Sequence, residues 1–94
     1  MSRGEVVAVF VYDISRDAAR NRFSKALEPH AVRVQRSVFE GRMTRSKAKT
    51  LASRLARQLA PEDSLRVYLL GAAAALQTLV HGGAPVEAHD FYLL

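Results

Sequence analysis

No cysteine occurs in the 94 residues. That absence excludes disulfides, zinc fingers, thiol nucleophiles and iron–sulfur clusters, all of which need thiolate sulfur. Long apolar runs are missing too. The longest, Val67 to Leu76, reaches half the ~20 residues that a membrane-spanning helix needs. Met1-Ser2-Arg3-Gly4-Glu5 does not read as a secretory leader, because an acid and then a strand-like run follow it. The expected compartment is the cytoplasm, with no membrane partner. Acids are scarce where bases are dense. Residues 16–57 hold twelve Lys and Arg against Asp17, Glu28 and Glu40, a local charge of +9, whereas residues 58–94 set Arg66 alone against four acids. Eleven of the fourteen bases are Arg, whose planar fork suits bidentate phosphate contact. A basic half of this kind points to a polyanion, with a merely solvated helix face as the plain alternative.

No repeat or linker divides the chain, and its length fits one domain over residues 1–94. A chain this short buries about 60–70% of the surface its unfolded form exposes. With 49% of residues hydrophobic, it carries more apolar surface than so small a core readily hides, which hints at a partner subunit. Val6 to Tyr12 is β-branched and aromatic at both parities, so this strand should be covered on both faces. Ser15 is a candidate cap for a helix from about Arg16 to Glu28, with Ala19, Phe23, Ala26 and Leu27 on one face and Pro29 ending it. Residues 31–43 read as a tight hairpin kinked near Arg36-Ser37. Thr44 caps a second helix, about Arg45 to Ala60, whose stripe is Ala48, Leu51, Ala52, Leu55 and Leu59. Leu65 to Leu70 is a further strand, Ala72 to Val80 a short helix closed by Gly82-Gly83, and Asp90 to Leu94 a last short strand. The order β-α-β-β-α-β predicts an α+β, ferredoxin-like core over about residues 5–70. Residues 71–94 add the short helix and terminal strand at a dimer interface. Two helices on one sheet face leave the other bare, and a second copy of the chain is the expected cover.

The chemistry-bearing residues are few. Asp13 stands where the first strand ends, at the sheet rim, where a carboxylate can hold a hard divalent cation. One carboxylate is not a metal site, but a two-fold axis can pair two of them. The alternative is an Asx-turn or a helix cap. His30, His81 and His89 show no ligand or acid–base spacing. Ser37 has no base nearby in sequence and no Gly-x-Ser-x-Gly around it. Gly82-Gly83 lacks the Gly-Lys-Ser/Thr of a phosphate loop. Arg33, Arg36 and Arg42 alternate around Phe39 and offer phosphate contacts beside a stacking ring, although core packing is the commoner fate of such a Phe. Arg16, Arg20 and Arg22 in the first helix complete the candidate nucleic-acid set. The Lys/Arg-Gly-aromatic-Gly-Phe strand of an RNA-recognition module is absent.

Val11-Tyr12-Asp13-Ile14, then Arg20 and Arg22, then Arg33-Val34-Gln35-Arg36-Ser37-Val38-Phe39-Glu40, resemble the small CRISPR-associated adaptation nuclease family. Asp63 to Leu70 resembles that family's fourth strand, and the likeness covers nearly the whole chain. One departure is Ala31, where the family usually has glycine two residues before the Arg. The resemblance implies a ferredoxin-like homodimer that joins the CRISPR integrase to capture and insert new spacer DNA. It also implies a magnesium-dependent endonuclease acting on RNA or double-stranded DNA, with one Asp13 from each protomer on the metal. Arg20, Arg22, Arg33 and Phe39 match family positions linked to nucleic-acid handling. Two other functions remain open: a non-catalytic dimeric bridge on duplex DNA, and a toxin-like ribonuclease of related fold.

Overall fold

The computed structural model describes residues 4–83. The terminal strand expected over Asp90 to Leu94 lies outside those residues. Strand β1 (Glu5–Asp13) is followed by helix α1 (Asp17–Leu27), the hairpin β2 (Val32–Gln35) and β3 (Val38–Thr44), helix α2 (Arg45–Ala56), strand β4 (Ser64–Leu70) and the short helix α3 (Ala72–Leu76). The strands form one antiparallel sheet in the order β2-β3-β1-β4. The ferredoxin-like expectation is met, and the hairpin turns at Arg36-Ser37 as its polar kink predicted.

Period-two alternation divides the sheet into two faces. Ala8, Phe10 and Tyr12 of β1 pack with Phe39 and Met43 of β3 beneath Phe23 and Leu27 of α1 and Ala48, Leu51 and Leu55 of α2. All of these side chains are buried, and Leu65, Val67 and Leu69 of β4 close the margin. The opposite face carries Val9 and Val11, which align with Glu40 and Val38 on one side and with Tyr68 and Arg66 on the other. It is only partly covered. Val7 is fully buried and α3 packs against β1 and β4, but Val9 and Val11 are half-buried and Tyr68 is 49% exposed. The expectation that β1 is covered on both faces therefore holds at Val7 and stops there among the described residues.

Three boundaries differ from expectation, each for a local reason. Ser15 is not the cap of α1. Arg16, in extended conformation, occupies that position without a side-chain cap, which leaves Ser15 one residue ahead of the cap, where its N–H donates to Asp63 Oδ1 at 3.2 Å. Helix α2 starts as expected, with Thr44 Oγ1 accepting from the Lys47 N–H at 3.1 Å, but it ends at Ala56 instead of Ala60. Its last turn tightens into three-residue bonds from Arg57, Gln58 and Leu59. Asp63 Oδ2 then accepts from the Ala60 N–H at 2.9 Å. Helix α3 stops at Leu76 instead of Val80, where β-branched Thr78 and Val80 follow and no described residue buries Leu79 or Val80. Ala31 needs no glycine because its neighbour supplies one. A side chain at Gly41 would meet the His30 carbonyl oxygen at 2.5 Å and Ala31 Cβ at 3.1 Å.

Candidate nucleic-acid interface

Helix α1 and the β2–β3 turn meet beside the end of β1, and the hollow between them is lined by Arg20, Asn21, Ser24, Arg33, Arg36 and Ser37. No carboxylate among the described residues lines it, and its volume is about 350 Å³. Arg20 Nη1 donates to the Ile14 carbonyl at 3.0 Å, and Arg20 Nη2 pairs with Asp17. Arg33 Nη1 donates to the Arg36 carbonyl at 2.7 Å, and its guanidinium lies 5.1 Å from the centre of the Phe39 ring. Both guanidiniums are thus oriented before any ligand arrives, which lowers the entropy lost on binding.

Tyr12 ties the two walls together. Its N–H donates to the Ser37 carbonyl at 3.1 Å. The buried Ser24 hydroxyl donates to the Arg20 carbonyl at 3.1 Å and stands 2.8 Å from Tyr12 Oη. The Tyr12 hydroxyl also stands 3.5 Å from the Arg36 carbonyl, a second acceptor within its reach on the β2–β3 turn. The Tyr12 ring packs on Phe23 at 4.8 Å and on Phe39 at 6.3 Å. The hollow therefore sits on the aromatic core.

The structure gathers only part of the expected set. Arg20, Arg33 and Arg36 converge, whereas Arg16 and Arg22 are exposed elsewhere on the α1 side and Arg42 shares the opposite sheet face with Glu40. Phe39 is 1% exposed and cannot stack on a base; its part is to seat the Arg33 guanidinium. Asn21, Ser24, Ser37 and Tyr12 were not read as site residues from the sequence. Ser24 was the legible one, because a hydroxyl between Phe23 and Leu27 on a buried helix face must find a partner. Asp13 ends β1 with the parity of Val9 and Val11, on the face away from the helices. Its carboxylate is exposed, and no side-chain hydrogen bond among the described residues uses it. No group of three or more His, Cys, Asp or Glu that could hold a metal occurs among the described residues. Asp13 thus belongs to no such group among the described residues. A hard cation fits it only as one of a pair.

Glu40 sits where its surroundings displace its titration. Burial raises its carboxyl above the ordinary value of 4.5, and its Oε1 is buried with no hydrogen-bond partner among the described residues. No described helix is long and apolar enough to cross a membrane.

Comparison with known proteins agrees with this fold. The family model for CRISPR associated protein Cas2 matches residues 6–78. A CRISPR-associated endoribonuclease Cas2 from Chloroflexus aurantiacus is 35% identical over 83% of this chain and 85% of its own. One from Synechocystis is 38% identical over 83% and 86%. The Mycobacterium tuberculosis protein of that name is 32% identical over 94% and 77%. Among solved structures, a hypothetical protein from Thermus thermophilus superposes with a TM-score of 0.76 at 31% identity, covering 89% of this chain and all of that one. Streptococcus pyogenes Cas2 gives 0.69 at 26% identity over 81% and 99%. With its matched span running from β1 through α3, the chain belongs to the CRISPR-associated Cas2 family.

Proposed function

We propose that this protein binds the phosphodiester backbone of nucleic acid as a homodimer in CRISPR adaptation, on duplex DNA together with the CRISPR integrase, and that it hydrolyses phosphodiesters with a divalent cation. The observation that carries the binding half is the hollow. Three arginines and no carboxylate among the described residues line it, and the guanidiniums of Arg20 and Arg33 are aimed by main-chain carbonyls. Phosphate oxygens are the acceptors such forks match best. The relatives' common name, endoribonuclease, supports RNA as a cleavable substrate.

In the hydrolytic half, Asp13 from each of two copies would hold Mg2+. The ion, when bound, supplies an activated water and neutralises charge on the phosphoryl oxygens. The chain's own residues do the rest. Arg20, Arg33 and Arg36 bind and orient the backbone, and the Tyr12–Ser24 pair fixes the walls that carry them. A second reading, the non-catalytic DNA bridge, draws support from one feature. Within a protomer, Asp13 and the arginine hollow lie on opposite sides of the sheet. The substitution Asp13→Asn separates the two. It removes the charge a hard cation needs and keeps nearly the same shape. Magnesium-dependent cleavage should vanish while the fold and, at concentrations that keep both proteins dimeric, the duplex affinity stay at parental values. Parental cleavage by the variant would remove Asp13 from the chemistry. Binding without cleavage in both forms would establish the bridge.

A further inference from the structure

Helix α2 carries a second basic surface that the arginine hollow does not include. Between Glu40 and Glu62 the sequence contains no acid and six bases, five of which lie on or just after this helix. With its apolar stripe of Ala48, Leu51 and Leu55 already packed in the core, α2 presents an outer face that is polar except for Ala56. At 3.6 residues per turn, Ser46, Thr50 and Ser53 run along its outward ridge. Arg45 and Lys49 flank that ridge on one side, Lys47 and Arg54 on the other, and Arg57 continues it past the last turn. All eight residues are exposed. No ion pair engages these bases among the described residues.

This arrangement works against the helix that bears it. Arg45 and Lys47 stand in the first turn, where no acid accompanies them and where the helix dipole disfavours positive charge. Arg45 with Lys49, and Arg54 with Arg57, are like-charge neighbours at four- and three-residue spacing. Such local conflicts persist where a ligand relieves them. The Thr44 cap holds the helix start in spite of them.

We infer that the outer face of α2 is a second phosphate-backbone surface, taking a stretch of duplex along the hydroxyl ridge between its two cationic rows. The inference rests on the nucleic-acid reading above and extends it from one contact region to two. From Arg45 to Arg57 the helix rises about 18 Å, the axial rise of roughly five nucleotides of one strand. Small hydroxyls on the ridge let a backbone approach and can donate to phosphate oxygens. An anionic membrane is the weaker match. A surface-binding helix needs free apolar residues to insert between lipids, and here the apolar stripe faces the core. The face also points away from the open side of the sheet, so pairing through that side leaves it accessible.

Two variants of the full-length chain test this. The first is Lys47→Gln, Lys49→Gln and Arg54→Gln together, which keeps helix propensity. Duplex DNA affinity should weaken, and the slope of log affinity against log salt should become shallower by about 2.7, at about 0.9 per lost phosphate contact. The second is Ser53→Glu, which places a carboxylate on the ridge four residues from both Lys49 and Arg57. It should raise the melting temperature through those pairs while weakening duplex binding, a combination that a purely structural role does not produce. Parental affinity and slope in both variants would overturn the inference. So would unchanged duplex binding with lost binding to phosphatidylserine-containing vesicles, which would assign the face to lipid headgroups. An Arg33→Gln, Arg36→Gln variant keeps the two readings apart. If it weakens binding and the α2 variants do not, this inference alone fails. If the α2 variants weaken binding and it does not, the hollow fails and α2 stands. A parent that binds no duplex sinks both.

Discussion

Glu40 shows how one carboxyl links the sheet to pH. It lies between Val9 of β1 and Val32 of β2 on the open face, with Arg42 two positions along its own strand and Tyr68 beyond Val9 on β4. Burial raises its pKa and leaves Oε1 unpartnered among the described residues. The folded chain therefore keeps this proton to a higher pH than the unfolded chain does. Stability from this group is complete below about pH 4.5 and falls as pH rises through the folded value. Glu40→Gln removes the titration, so its stability advantage over the parent should widen from pH 4.5 upward. Urea denaturation across a pH series measures this directly. A difference that stays constant with pH would show that the carboxyl is not the source.

At the scale of elements, Asp63 does more than its place in a turn suggests. Both of its oxygens accept main-chain protons, from Ser15 in the β1–α1 connection and from Ala60 after α2. It thereby fastens two connections at the end of the sheet where Asp13 faces Ser64. Asp63→Ala leaves both donors without this acceptor and should cost about 1–3 kcal/mol. A domain of this size loses about 4–8 °C of melting temperature per kcal/mol. Asp63→Asn, which keeps one carbonyl acceptor, should lose less, and equal losses would refute the two-bond account. The elements themselves were largely legible, because Val6 to Tyr12 is a β-branched and aromatic run and the stripe of α2 carries a strong period. Their ends were not. Ser15 and Thr44 look alike as caps, and only the point at which the helical backbone begins, directly after Thr44 but two residues after Ser15, decides that Thr44 caps while Ser15 does not. The hollow was legible by halves for the same reason. Arginines declare themselves by charge, but convergence depends on which wall each stands on, and Phe39 could be placed in the core only once the sheet faces were known.

For the whole molecule, the open sheet face and Asp13 make a single problem. Val9, Val11 and Val38 are only half-buried there and Tyr68 is 49% exposed. Asp13 lies on the same face, at the end of β1, an interior strand of the sheet. Pairing two copies through this face would bury the valines and bring the two Asp13 carboxylates toward one axis. Without a cation those charges repel, and the apolar gain has to offset the repulsion. A shared Mg2+ reverses the sign, because it binds the pair and not the single chain. At a free concentration 100 times its dissociation constant, it would stabilise the pair by about 2.7 kcal/mol, roughly a hundredfold in the dimer constant. Sedimentation equilibrium with and without magnesium should therefore show a tighter dimer with the metal. Asp13→Asn should dimerise more tightly than the parent in chelator, since the repulsion is gone, and should ignore magnesium. Equal responses of parent and variant would place the metal, or the interface, away from Asp13. A parent that stays monomeric at micromolar concentration would leave the open face needing a different cover.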